Sequence, residues 1–420
     1  MDSLCLPLSP LAAGAMQDAP TGCLEGYTSV EIDGMCQQDT MLLEYGLRNF
    51  LSFKEGASVS FQLDANVPRR ISLNLPAATV MCVKGANGSG KTHLLKGLAF
   101  VASFVATSFS ADPDAEIPVA PFFSDPRPSS FYVDFKIDDA IYRYELDVTA
   151  SGVVREALFK ASKRKTLVFE RVQDDVKAVA RLKVLEGVKV RRNASVISAA
   201  YHHQIDELAP VHAFFKNIHF NVGSSGTRES LFMDIYKVAQ LLNEHDDVRA
   251  YVEQFLKECD VGITRLQIAS EEGSDGKRRF FPVFIHEVDG QECQVMPATE
   301  SAGTKQIFRL MLPIAAVVAS GSVLVLDELD LYLHPHLLPK LLGLFLQEKA
   351  PGEPVAQLLF STHHSEVMDL CGRYRTTLVN KDNNESYTYR LDEIPGDVIR
   401  NDRSLVTPYN DRKIGGVPRL

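Results

Sequence analysis

Three apolar runs, each ending in a chemically distinctive turn, predict a mixed α/β fold. The first, Val80-Met81-Cys82-Val83, leads into Gly85-Ala86-Asn87-Gly88-Ser89-Gly90-Lys91-Thr92. The second, Val323-Leu324-Val325-Leu326, ends on Asp327-Glu328, and the third, Gln357 to Phe360, ends on Ser361-Thr362-His363-His364. Short apolar runs bounded by turn signals fit buried strands. His93-Leu94-Leu95-Lys96-Gly97-Leu98 opens a helix expected to reach about Ala106.

The first turn fits the pattern G-x-x-x-x-G-K-[ST] in the order strand, glycine loop, helix. Gly85, Gly88 and Gly90, with Asn87 and Ser89 between them, let successive backbone N–H groups turn inward around phosphates. Lys91 reaches the β and γ oxygens, and the Thr92 hydroxyl serves as a ligand to Mg²⁺. The plain alternative is a glycine-rich turn with an exposed lysine; the strand before it and the helix after it argue for a nucleotide site, with ATP and Mg²⁺ as the expected ligands.

The chain has 420 residues, 45% of them hydrophobic and 23% charged, which suits a globular protein with more than one domain or subdomain. The formal charge of −10 gives no global attraction to nucleic acid, so any such contact has to come from local basic patches. Seven scattered cysteines with no C-x-x-C pair fit reduced thiols and a cytoplasmic location. Leu310 to Leu326 is uncharged, but Pro313 and Ser320-Gly321-Ser322 break it, so a helix followed by a buried strand is expected there rather than a membrane span.

In chain order, residues 1–40 contain six acids and no Lys or Arg, and read as a poorly ordered acidic tail. Met41 to Phe53 and Ala57 to Phe61 are expected to be strands leading into the one that feeds the loop. A first lobe over 41–180 includes an antiparallel β-subdomain at about 130–175, read from the alternation in Phe131 to Phe135, Tyr142 to Leu146 and Thr166 to Glu170. Residues 181–295 are expected to form a helical insertion or lid, with Leu231 to Leu242 its clearest helix, and 296–420 a second lobe. Basic clusters at Lys160 to Lys165, Arg191-Arg192 and Lys277 to Arg279 read as solvated surface charge before a nucleic-acid patch.

Asp327 and Glu328 complete a phosphate site: the first carboxylate holds Mg²⁺, and the second acts as the base for an attacking water. Glu300-Ser301-Ala302-Gly303-Thr304 stands at the start of a helix, where Ser301 and Gly303 form either a second phosphate device or an ordinary N-cap. His363, at a strand end, is either a γ-phosphate sensor or a structural residue.

Phosphate loop, long insertion, Ser-Ala-Gly turn, Asp-Glu strand and strand-end His, in that order, resemble an ABC-type ATPase. Asp327-Glu328-Leu329-Asp330-Leu331-Tyr332-Leu333-His334-Pro335 narrows the resemblance to the soluble ABC-type AAA ATPases of prokaryotic phage-defence and abortive-infection loci, related to the OLD nucleases. The opening Asn49-Phe50-Leu51-Ser52-Phe53 and the close Tyr409 to Pro418 are similar to that family's ends. The resemblance implies Lys91 and Thr92 on phosphate and Mg²⁺, Asp327 on Mg²⁺, Glu328 as base, His363 as switch, and Ser301 and Gly303 offered to the ATP of a partner protomer. No Gln occupies the usual Q-loop position, and His334-Pro335 replaces the transporter-type Asp. No OLD-type nuclease domain is expected, because the stretch after His363 is too short for one. These points lead to an ATP-hydrolysing head that dimerises or assembles further on ATP and regulates a separately encoded effector; a DNA-clamping repair ATPase and a nucleotide-gated scaffold remain as alternatives.

Overall fold

The structure is a computed structural model that describes residues 39–161, 165–223, 226–227, 234–259, 262–273, 276–331, 335–395, 399 and 403–417. The expected acidic tail, residues 1–40, lies outside these but for its last two positions. The described chain divides into a larger unit, Gln37–Arg228 with Gly321–Leu331 and Leu341–Leu420, and a smaller one, Glu229–Ser320 with Tyr332–Lys340.

The larger unit begins with β1 (Thr40–Arg48), β2 (Ala57–Ser60) and β3 (Val80–Gly85), followed by the helix Lys91–Thr107. An antiparallel run follows: β4 (Ser129–Ile137), β5 (Ala140–Thr149), β6 (Gly152–Ala161), β7 (Lys165–Val172) and β8 (Asp175–Ala178). Strict alternation drives it, since Ser129, Phe131, Val133, Phe135 and Ile137 of β4 point inward and the residues between them outward. The expected leading strands belong here rather than beside the loop strand, because β1 pairs with β4 and the sheet runs β2-β1-β4-β5-β6-β7-β8. Pairing across some ninety residues leaves no local trace in the sequence.

The stretch expected as one helical insertion is mixed. Helices Val196–His202 and Ala209–Lys216 are followed by β9 (Ile218–Phe220), a three-residue strand of the central sheet, and by a short ladder of β10 (Val222–Gly223) with β11 (Gly226–Thr227). The smaller unit then holds helices Ile235–Glu244 and Asp246–Glu258 and a three-stranded antiparallel sheet. Its strands are β12 (Ile263–Glu272), β13 (Arg278–Val288) and β14 (Gln291–Val295), followed by the helix Ala302–Ser320. Of the helix expected over Leu231 to Leu242, residues 231–233 lie outside the described ones.

The central sheet is completed by β15 (Val323–Leu326), β16 (Gln357–Ser361), β17 (Thr376–Asp382) and β18 (Glu385–Arg390), in the order β18-β17-β3-β16-β15-β9. All neighbours are parallel except β17 with β18. Both faces of the inner strands are covered, and for that reason β3, β15 and β16 read as unbroken apolar runs. The helix Lys91–Thr107 buries Leu94, Leu95, Leu98, Val101, Ala102 and Val105 in the core, and each leucine or valine so buried contributes about 1.5–3 kcal/mol. Buried Gln357 joins the sheets: its Nε2 donates to Leu42 O (3.0 Å) and Ala78 O (2.9 Å), and its Oε1 accepts from Leu42 N (2.6 Å).

The uncharged run from Leu310 divides at Gly321 (φ +69°) into a helix end and β15. The helix Ala302–Ser320 and the stretch Lys91–Ser110 are long and apolar enough to cross a membrane, but 61% and 56% of them are buried inside the protein, as core helices are.

Candidate functional site

In a parallel sheet the C-terminal strand ends lie on one edge, and ligands bind there. Register pairs Ser361 with Val83 and Leu326 with Phe360, so the loop after β3, the carboxylates after β15 and the turn after β16 converge. Loop glycines are sterically required. A Cβ on Gly85 would lie 2.4 Å from Val379 O, and Gly90 takes φ +112°, a left-handed conformation that strains any side chain. Asn87 and Gly88 form the exposed tip, whereas Ser89 is buried and its hydroxyl has no hydrogen-bond partner among the described residues.

Lys91 lies inside this loop, with Nζ donating to Gly85 O (3.0 Å) and Ala86 O (3.1 Å). Burial lowers its pKa, while Asp327, Glu328 and Asp330 oppose that shift. An ammonium held, among the described residues, by carbonyls and next to a buried hydroxyl unpartnered among them is a cradle with capacity for an anion.

Thr92 Oγ1 donates to Asp327 Oδ2 at 2.6 Å, bringing together two residues 235 positions apart. This hydroxyl and carboxylate are hard oxygen donors at the mouth of the loop, the donor set that suits Mg²⁺. Asp327 is fixed from two further sides. Ser361 Oγ donates to its Oδ1 at 2.5 Å, and the Asn221 side chain brackets its backbone, with Nδ2 donating to Asp327 O (3.0 Å) and Oδ1 accepting Asp327 N (2.7 Å).

Glu328 adopts φ +52°, which costs a non-glycine residue about 1–3 kcal/mol and persists only where its surroundings hold it. Its N–H donates to Ser361 Oγ (2.8 Å) and its carbonyl accepts from Leu331 N (2.9 Å). The carboxylate is left about half exposed, 3.7 Å from His363 Nε2. His363 is held through its backbone, since its N–H donates to Asp330 Oδ2 (3.0 Å) and its carbonyl accepts from Lys84 Nζ. Asp330 also lies 3.5 Å from His364 Nε2.

Lys91, Thr92, Asp327, Glu328 and His363 therefore share one edge of the larger unit. Ser301 and Gly303 stand in the smaller unit, where Ser301 caps its helix: Oγ accepts from Thr304 N (3.0 Å). Ser301 is exposed, and its N–H donates to Glu300 Oε1 (2.6 Å). Sequence reasoning missed Ser361, Asn221 and Asp330. Ser361 and Asp330 lie inside stretches already singled out, and the short polar side chain of Ser361 at a strand end was the available signal. Asn221 follows a strand too short to show any periodicity.

The family model described as "AAA domain, putative AbiEii toxin, Type IV TA system" matches residues 80–369, more than half of the chain. The chain belongs to this AAA family. The matched span of the AAA domain runs from β3 into the helix Val367–Cys371 beyond His363, and so includes every site residue above. No curated protein is matched. Among solved structures, similarity is found to an SMC head bound to the C-winged helix domain of ScpA, at 12% identity and TM-score 0.47, covering 84% of this chain and 98% of that one. The SMC head domain from Thermotoga maritima is similar at 14% identity and TM-score 0.41, covering 83% and 98%. An SMC head with an extended coiled coil, bound to the C-terminal domain of ScpA derived from Pyrococcus furiosus, is similar at 13% and 0.43, covering 84% and 97%. The architecture is a mixed α/β fold with a glycine phosphate loop, a mostly parallel central sheet and a separate antiparallel sheet, and this AAA domain is built to bind a nucleotide.

Proposed function

We propose that this AAA-family chain hydrolyses ATP, with Lys91 on the β and γ phosphates, Glu328 as general base and His363 beside the γ-phosphate. The carrying observation is the strained Glu328, held by Ser361 next to the Thr92–Asp327 pair, with its carboxylate free to face a water. Ser361 serves both acids at once, so the metal-binding and proton-accepting groups keep a fixed spacing. Mg²⁺ held by Thr92 and Asp327 supplies charge neutralisation on the phosphates. Lys91, largely stripped of water, adds the second positive charge, and His363 orients Glu328.

Ser301, exposed at the head of its helix, and the partly buried Gly303 complete the site of a second copy of the chain in a head-to-tail dimer. The family description names a type IV toxin–antitoxin system, which supports a defence role. We read the chain as the regulatory ATPase of such a system, of the phage-defence kind related to OLD nucleases, acting through a separately encoded effector. The DNA-clamping alternative loses support at Arg191, which is occupied within the fold by Ala111 O (3.2 Å), Phe109 O and the Phe109 ring.

Two variants separate binding from chemistry. Lys91→Ala should lose ATP affinity, whereas Glu328→Gln should keep it and turn over ATP about 10²–10⁴-fold more slowly, because an amide accepts no proton. Nucleotide titration and steady-state turnover read the two effects, and an unimpaired Glu328→Gln removes Glu328 from its role.

A further inference from the structure

Against the phosphate loop, at Ser89 and Gly90, three polar side chains from distant parts of the chain meet. Ser386 Oγ lies 2.6 Å from Ser89 O and 2.8 Å from Ser52 Oγ, and Ser52 Oγ lies 2.9 Å from His93 Nδ1. Ser52 and Ser386 are buried, and Ser386 N donates to Ser52 O at 2.7 Å. The cluster presses directly on the loop: a Cβ on Gly90 would fall 2.6 Å from Ser386 Oγ and 2.8 Å from Ser52 Oγ.

We propose that His93, Ser52 and Ser386 form a directed hydrogen-bond relay that presets the Gly90 N–H for a phosphate oxygen. Proton counting fixes the direction. The Ser89 carbonyl can only accept, so the one hydroxyl proton of Ser386 goes to it. The contact between the two serines then takes the proton of Ser52, and Ser52 Oγ accepts from His93 Nδ1–H. This is the one arrangement that places a proton in each of the three contacts. The neutral Nδ1–H tautomer and the imidazolium both donate there.

The consequence for the ligand follows from the planar trans peptide, in which C=O and the following N–H point in opposite directions. Holding Ser89 O down on Ser386 turns Gly90 N–H up into the loop, away from the relay. The three residues are positioning residues, and they tie the loop to the strand after β17 and to the turn after β1.

This inference rests on the loop being an ATP site, so the experiment carries a control for that. Fluorescent ATP analogue is titrated with Mg²⁺ into wild type, Ser386→Ala, His93→Leu, His93→Asn and the Ser386→Ala/His93→Leu double variant, with thermal melts taken without nucleotide. Ser386→Ala and His93→Leu should each weaken binding about tenfold. His93→Asn, whose amide N–H replaces Nδ1–H, should stay within about threefold of wild type, a rescue that loss of packing would not give. The double variant should be no weaker than Ser386→Ala, because one broken relay cannot be broken twice. Wild-type affinity in a folded Ser386→Ala, His93→Asn as weak as His93→Leu, or multiplicative losses in the double variant would each overturn the relay. Lys91→Ala distinguishes the readings: lost binding there beside normal binding in Ser386→Ala sinks the relay alone, and a wild type that binds no analogue sinks the nucleotide site.

Discussion

Ser361→Ala tests how the two acids are held. Its hydroxyl is fully buried and makes two bonds, donating to Asp327 Oδ1 at 2.5 Å and accepting Glu328 N–H at 2.8 Å. A bond to a charged group contributes about 1.5–3 kcal/mol and a neutral one about 0.5–1.5, so the variant should lose about 2–4 kcal/mol of stability. Removing one oxygen leaves almost no cavity, so packing adds little. Asp327 keeps its bond to Thr92, and nucleotide affinity should change little. Glu328 loses the bond on its own N–H while sitting at φ +52°, and its strained backbone is then free to relax. Losing part of a general-base effect of 10²–10⁴-fold should lower kcat by about 10–100-fold. Urea unfolding, saturated turnover and analogue titration read these three quantities. The reasoning is refuted if kcat stays at the wild-type value, or if the damage falls on affinity and leaves turnover intact.

The remaining predictions concern assembly and pH. Lys91→Ala and Ser301→Arg proteins should each be inactive alone and regain part of the ATPase rate when mixed, because a mixed dimer holds one site with both an intact loop and an intact Ser301 turn; unchanged turnover in Ser301→Arg alone ends the shared-site reading. Burial pushes the Asp134 carboxyl up to about 6, with Arg143 opposing and Glu44 adding to the shift. The folded state therefore binds the extra proton, and this contribution is complete below about pH 4 and lost as pH rises through about 6. The urea midpoint of wild type relative to Asp134→Asn should fall between pH 4 and 7, and a flat difference would show that Asp134 titrates normally.

What could be read from the sequence was local chemistry. Gly85 to Thr92 carries its function in eight consecutive residues, and Asp327 and Glu328 end a strand whose unbroken apolar character announces burial on both faces. The pairing that fixes those acids was not legible, because Ser361 and Asn221 reach Asp327 from distant parts of the chain and their own neighbourhoods do not say what they bind. The same limit explains β1, which falls within the stretch Met41 to Phe53 expected as a strand but whose sheet depends on partners at Phe131 and Phe135. It also explains β9, where Ile218-His219-Phe220 is too short to interrupt a helical reading. The stretch Asn49-Phe50-Leu51-Ser52-Phe53 has a physical account in the structure. Asn49 takes φ +49°, with its side chain bonded to Phe122 N (3.1 Å) and Arg127 O (2.6 Å), and Ser52 reaches the loop.

The strand order of the central sheet has a consequence for the newborn chain. β3 has two neighbours, β16 and β17, and both are encoded about three hundred residues downstream of it. At a synthesis rate of about 5–20 residues per second, the loop strand waits roughly 15–60 s before either neighbour leaves the ribosome. The antiparallel sheet faces no such wait, since all of its strands lie between Thr40 and Ala178. The nascent protein thus completes its all-β layer early, while Val80 to Val83 remains an unpaired apolar edge for most of translation. A holdase or early partner acting on that edge would set the yield of folded molecules, and catalytic competence would arrive only with the last strands of the chain.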